Sequence, residues 1–259
     1  MSLDRTHERA NNELQRTRKP ALRDGGSTLN SVLGNLRGCM TEAARPTDPV
    51  RRWGVLLSPI GVIGVCRGVQ QAAGPLLGAW TWLPTMVVFW CAISGVIAWS
   101  RRDRPTNSWF AAPRGRQWWS LLAAGIGILS VRDFVAGWRA LESPGVLLLW
   151  LGFGLLNPWF EESYWRGLLI DATGGIRLLG VIYSSVAFAI SHPLIWGVHS
   201  VALRHPVVLF GLGVAGGVWG LAYWRTGSLR WTIIGHSCAN LLGLSVPVLL
   251  NLYVPAGLR

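Results

Sequence analysis

Seven long apolar runs govern what this chain can fold into. They lie at about residues 54–72, 76–99, 118–138, 144–172, 177–192, 207–224 and 229–252. A helix needs roughly 20 apolar residues to cross a hydrocarbon core of about 30 Å, and the stronger runs reach that length. The first is the weakest, broken by Pro59 and Arg67. The fold class expected is all-α: a polytopic transmembrane helical bundle of about seven to eight membrane helices. Composition agrees, since 51% of the 259 residues are hydrophobic and only 14% are charged, against about 25% charged in soluble domains. The 16 Trp and 32 Gly fit the same class, because Trp gathers at membrane interfaces and Gly is frequent in membrane helices.

Residues 1–52 are of another kind. They hold ten Arg or Lys, six Asp or Glu, and the turn-rich Arg23-Asp24-Gly25-Gly26-Ser27. A segment this polar lacks the apolar surface to fold alone, so it reads as a basic, mostly disordered N-terminal tail ahead of a helical domain at 53–259. It has no apolar stretch of the kind a cleavable signal peptide needs. The net charge of +12 is spread over the tail and the loops between apolar runs. It forms no single patch with interleaved aromatics, which argues against nucleic acid and for anionic lipid headgroups as neighbours. Arg clusters in the tail, at 101–116, at Arg177 and at Arg225/Arg230 alternate correctly if all face the cytoplasm. The protein is then a multi-pass protein of the cell (inner) membrane with a cytoplasmic tail. Cys39, Cys66, Cys91 and Cys238 form no CxxC and suggest neither a disulfide nor a zinc knot.

Against that background, Glu161-Glu162-Ser-Tyr-Trp-Arg166 is costly. Insertion scales put a charged residue at mid-membrane at roughly 2.5–3.5 kcal/mol, and a chain carrying several there is usually using them. Glu162 and Arg166 are four apart and can pair on one helix face. Glu161 is rotated by ~100° from Glu162, free to face a cavity. The geometry thus suggests a structural pair and a reactive carboxylate. Pro158, a turn earlier, is placed to kink the helix, and Thr173-Gly174-Gly175 ends it. In the next run Phe188 and His192 share a face, with Pro193 disfavouring helical continuation, so His192 is expected near a helix end and near water. The last run holds His236 and Asn240, again four apart. Counting 1.5 Å per residue from the flanking turns puts Glu161 and His192 roughly 18 and 26 Å deep, and His236 and Asn240 roughly 12–18 Å. Three neighbouring helices can therefore bring Glu161, His192, His236 and Asn240 to one pocket. A carboxylate and an imidazole around one water can serve as base and then proton donor, and N–H donors can stabilise an oxyanion.

The motifs Glu161-Glu162-x-x-x-Arg166, Phe188-x-x-x-His192 and His236-x-x-x-Asn240, in this order on successive apolar runs, resemble the CPBP (Abi) family of CAAX-type and bacteriocin-processing intramembrane proteases. The resemblance covers about 145–245. It implies an intramembrane endopeptidase in which Glu161 and His192 activate water and His236 and Asn240 hold the oxyanion. Glu162, Arg166 and Phe188 support the site, and no metal cofactor is required. It implies a membrane-anchored or lipidated protein or peptide as substrate. Members of the family act on prenylated CAAX tails, on leader peptides or on sorting tails. Arg used almost to the exclusion of Lys points to a GC-rich bacterial genome, which disfavours the prenylated class. Two other readings stand beside this one. Glu161, His192 and His236 have the donor types of a zinc site, although no HExxH is present. The chain could also be a non-catalytic immunity factor or scaffold that kept the fold. Gly211, Gly213, Gly216, Gly217 and Gly220 read as close helix packing, and Trp118, Trp119, Trp159 and Trp165 as interface anchors and packing.

Overall fold

The computed structural model describes residues 48–174 and 176–258, and every regular element among them is helical. The tail assigned to 1–52 therefore lies almost wholly outside the described residues. The first helix already begins at Pro49, where the Asp48 side chain accepts from the Val50 N–H at 3.0 Å. This placement of a carboxylate before Pro at the first turn is a common way to start a helix.

Helix α1 (Pro49–Leu77) and α2 (Trp82–Arg101) form a hairpin. The reversal follows Gly78, whose φ of 53° suits a residue without Cβ. The antiparallel pairing is closed at its far end by Arg51, 2.7 Å from Asp103. Helix α3 (Trp118–Ile126) tightens into a 3-10 turn and continues as α4 (Val131–Gly137). Helix α5 (Pro144–Glu162) passes through a π turn at Ser163–Leu168 into α6 (Leu169–Ala172). Helix α7 (Arg177–Ser191) likewise runs into a π turn at His192–Trp196. Then come α8 (Pro206–Thr226), α9 (Arg230–Leu242) and the short α10 (Ser245–Leu249).

Four stretches among the described residues are long and apolar enough to cross a membrane: Pro49–Arg101, Trp118–Leu141, Arg177–Trp196 and Pro206–Thr226. The first contains both helices of the α1–α2 hairpin. The runs at 144–172 and 229–252, which carry the Glu161/Glu162/Arg166 and His236/Asn240 motifs, are not among the four. Large apolar side chains such as Ile60, Leu129, Leu148 and Phe210 remain exposed along these helices. That outward apolar surface suits lipid rather than water.

Helix α9 is central: it packs against α3 and against α5, while α7 and α8 form the most extensive pair. The α3–α9 crossing is very close. A Cβ on Gly127 would sit 1.9 Å from the Gly235 carbonyl oxygen, and one on Gly235 would sit 1.9 Å from the Ala123 carbonyl oxygen. The glycine reading of α8 holds for two positions only. Gly216 faces Arg166 and Phe188, and Gly220 faces Val181, whereas Gly211, Gly213 and Gly217 have open space.

One end of the bundle is tied by a polar cluster around Asp171. Its carboxylate accepts from Trp109 Nε1 at 3.1 Å and from the Tyr223 hydroxyl at 3.0 Å, with Arg101 3.6 Å away. Arg101 also lies over the Trp109 ring at 4.4 Å. Nearby, Arg52 donates to the Thr173 carbonyl and Arg230 to that of Phe110. Arginines from the start of α1, the end of α2 and the start of α9 thus meet at this end. The exposed Asp103 carboxyl there is held below its ordinary range by the hydrogen bond and charge of Arg51.

Gly127→Ala and Gly235→Ala should each force α3 and α9 apart. An overpacking cost of at least about 1–3 kcal/mol is expected, seen as a lower unfolding temperature of the detergent-solubilised protein. Gly217→Ala, with open space around it, should leave that temperature unchanged.

Candidate active site

The three motifs converge inside the bundle. Glu161 is 2% exposed, and Glu162 and Arg166 are fully buried. Charges so placed demand partners, since an unpaired buried ion costs several kcal/mol. Arg166 Nη1 lies 3.0 Å from Glu162 Oε1, one helical turn away. The guanidinium makes this contact as an ion pair; none of its nitrogens has a well-directed hydrogen bond. Aromatic faces supply the rest of its surroundings. Its centre lies 4.3 Å from the Phe188 ring and 5.2 Å from that of Trp219, within reach of cation–π attraction. Gly216 leaves the space, since a Cβ there would stand 3.3 Å from both Arg166 Nη2 and the Phe188 ring.

His236, on α9, comes between the two carboxylates. Its Nδ1 is 2.8 Å from Glu162 Oε1 and its Nε2 is 3.6 Å from Glu161 Oε2. A carboxylate paired with Arg166 can only accept, so Nδ1 carries the proton in that bond. Nε2 is then an acceptor in the neutral ring and a second donor in the imidazolium. At 3.6 Å its contact with Glu161 is electrostatic, too long for a hydrogen bond. The ring lies flat on Trp219, with centroids 4.7 Å apart and planes 15° from parallel.

His192 also lies against Phe188, whose ring is 4.5 Å from His192 and 5.9 Å from His236. Its Nδ1 is 2.8 Å from the Phe188 carbonyl oxygen. Because that oxygen can only accept, Nδ1 is the donor, and in the neutral ring Nε2 keeps a lone pair. His192 is 9% exposed, more enclosed than its place before Pro193 suggests. The reason is the π turn: the chain does not stop at Pro193, and Gly197 donates five residues back to the His192 carbonyl at 2.7 Å. Pro158 likewise does not break α5. The irregularity falls after the carboxylates, where Leu169 donates five residues back to Tyr164. Such π turns are rare and often lie at functional sites; here one follows Glu162 directly and the other begins at His192.

Asn240 lies one turn beyond His236, and its Nδ2 is buried with no hydrogen-bond partner. The Oε2 atoms of Glu161 and Glu162 are in the same position. Among the described residues, no group of three or more His, Cys, Asp or Glu could hold a metal ion. Of the other residues read from the sequence, Trp165 is buried, and Trp118 and Trp159 are about half exposed.

Sequence reasoning missed three neighbours. Trp219 and Gly235 had no signal beyond being apolar. Asn157 did, because it stands four residues before Glu161. Its side-chain oxygen accepts from Trp90 Nε1 at 2.8 Å, which ties α5 to α2.

Residues 143–242 match the model of a family described as type II CAAX prenyl endopeptidase Rce1-like. This segment is similar to that family. It runs from the start of α5 to the end of α9 and so contains all three motifs. No curated protein and no solved structure matches the chain. The match supports the protease, and hence hydrolase, class, and four apolar membrane-length stretches, two of them inside the matched segment, suit a membrane protein.

Arg166→Met should leave the buried Glu162 with His236 as its one remaining partner. Breaking one side of a buried pair costs about 3–5 kcal/mol. The expected result is a marked fall in unfolding temperature and in the amount of protein recovered from membranes.

Proposed function

We propose that the chain is an intramembrane endopeptidase of the glutamic type, hydrolysing a peptide bond in a membrane-anchored or lipidated protein or peptide. The observation that carries this reading is the meeting of Glu161, Glu162, Arg166 and His236 in the buried interior, with His192 buried against the same Phe188 ring. Glu161 Oε2 and Asn240 Nδ2 have no hydrogen-bond partner inside the protein. In this scheme Glu161, assisted by the Nε2 lone pair of His192, takes a proton from water as the oxygen bonds to the scissile carbonyl carbon. The tetrahedral oxyanion is held by Asn240 Nδ2–H and by His236 Nε2–H. His236 can donate there only as an imidazolium, because its Nδ1–H is committed to Glu162. Two carboxylates, one guanidinium and one imidazolium then sum to zero charge. As the carbon–nitrogen bond breaks, the proton held by Glu161 passes to the leaving amine, so no net proton is consumed within the site. Glu162, Arg166 and Phe188 hold the frame, and no step calls for a metal.

The finer topology belongs to the same proposal. With the α1–α2 hairpin counted as two crossings, and Pro144–Ala172 and α9 each added as one, seven spans result. The arginine-bearing end around Asp171 faces the cytoplasm by the positive-inside rule, in the inner membrane of a bacterial cell. Anionic headgroups are its neighbours, and the tail lies on that side.

Wild type and Glu161→Gln, expressed to equal membrane levels in a host lacking the gene, should differ in the termini of specific membrane or secreted proteins. Only the wild type should yield the shortened forms, and 1,10-phenanthroline should not slow their appearance. Identical termini in the two strains, under conditions where the gene's loss has an effect, would favour a non-catalytic immunity or scaffold role.

A further inference from the structure

The indole of Trp219 takes no part in the chemistry proposed above, yet it touches two of the groups on which that chemistry depends. It is 2% exposed on α8. One face lies under the His236 imidazole, 4.7 Å away and 15° from parallel. The Arg166 guanidinium lies 5.2 Å from the ring centre. The indole is itself held at a second point, because Nε1 donates to the Ala123 carbonyl oxygen on α3 at 3.0 Å. That carbonyl can come so near because Gly235 has no side chain: a Cβ there would stand 3.0 Å from Trp219 Nε1. One turn further along α8, the Tyr223 hydroxyl donates to Asp171, on the same continuous helix as Glu162 and Arg166. The helix bearing Trp219 is thus pinned to the helix bearing the carboxylates.

A hydrogen bond at one ring nitrogen fixes where an imidazole is attached but leaves its plane free to tilt about that bond. His236 has such a bond at Nδ1 only, since Nε2 is 3.6 Å from Glu161. The edge of the ring meets Phe188 nearly at right angles, at 84°. The broad contact that resists tilting is the stack on Trp219. We propose that Trp219 is a positioning residue of this site. Its indole sets the plane of the His236 imidazole, so that Nδ1 meets Glu162 while Nε2 stays directed toward Glu161. The geometric part stands on the contacts alone, and its consequence for processing rests on the protease reading.

The test uses full-length protein in lipid nanodiscs, labelled with 15N-histidine, with the His236 ring signals assigned by their loss in His236→Gln. Wild type should show His236 in one state with Nδ1 protonated. Trp219→Leu, which keeps apolar bulk but no aromatic face, should shift or broaden those signals. Trp219→Phe, which keeps a face, should restore them. In the host assay, Trp219→Leu should slow formation of the shortened proteins by on the order of 10-fold or more, with Trp219→Phe close to wild type at equal membrane levels. If Trp219→Leu leaves the His236 signals unchanged, the proposal is overturned, even where unfolding temperature and processing both fall, because Trp219 is then packing only. Should Trp219→Leu fail to accumulate, Trp219→Phe decides: signals displaced from the wild-type positions would also overturn it. A wild type that processes nothing but shows the expected signals would refute the protease reading and leave the positioning role intact.

Discussion

Glu162 is buried completely, and much of the structure follows from that fact. A carboxylate out of water must be matched in charge and in hydrogen bonds. Glu162 obtains the first from Arg166 on its own helix and the second from His236 on α9. Meeting both conditions brings α9 against α5. The guanidinium, which lacks directed hydrogen bonds, is enclosed by Phe188 from α7 and Trp219 from α8. Each of the four helices therefore contributes a group that the others require. Loss of one leaves a charge or a dipole exposed to an apolar interior, where water cannot compensate for it.

Helix α9, which brings His236 to the charged cluster, also approaches α3 closely, through Gly127 and Gly235 with carbonyl oxygens where side chains would stand. The two π turns sit where α5 and α7 deliver their site residues; the first leads on into α6, and the second closes its helix at Trp196. At the arginine-bearing end, Asp171 joins the α5–α6 helix to α8 and to the segment around Trp109. The site is thereby supported from one side by a second polar cluster and from the other by the α1–α2 hairpin, through Trp90 and Asn157.

Several of these relations could be read along the chain and several could not. The spacing of Glu162 and Arg166 is enough to expect their contact, because residues four apart lie on one helical face. Phe188 with His192 and His236 with Asn240 share the same logic. Prolines were a partial guide. Pro158 lies inside α5, which continues through it, and before Pro193 the α-helix ends at Ser191 as expected, with a π turn added over His192–Trp196 that the proline alone does not signal. Glycines misled in part, since only Gly216 and Gly220 of the α8 series face neighbours, and the closest approaches involve Gly127 and Gly235. A glycine's role depends on what lies opposite, and nothing local records that.

The sequence by itself determined the helical, membrane-suited character of the chain and the pairs of polar residues that share a face. Both are properties of a single helix, set by hydrophobic length and by the 3.6-residue period. Only the tertiary structure decided that His236 lies between Glu161 and Glu162, that its Nδ1 is committed to Glu162, and that Trp219 stacks beneath it. These depend on the crossing of α5, α8 and α9, and each crossing is set by side-chain volumes and by a buried charge that must be met from more than one helix at once.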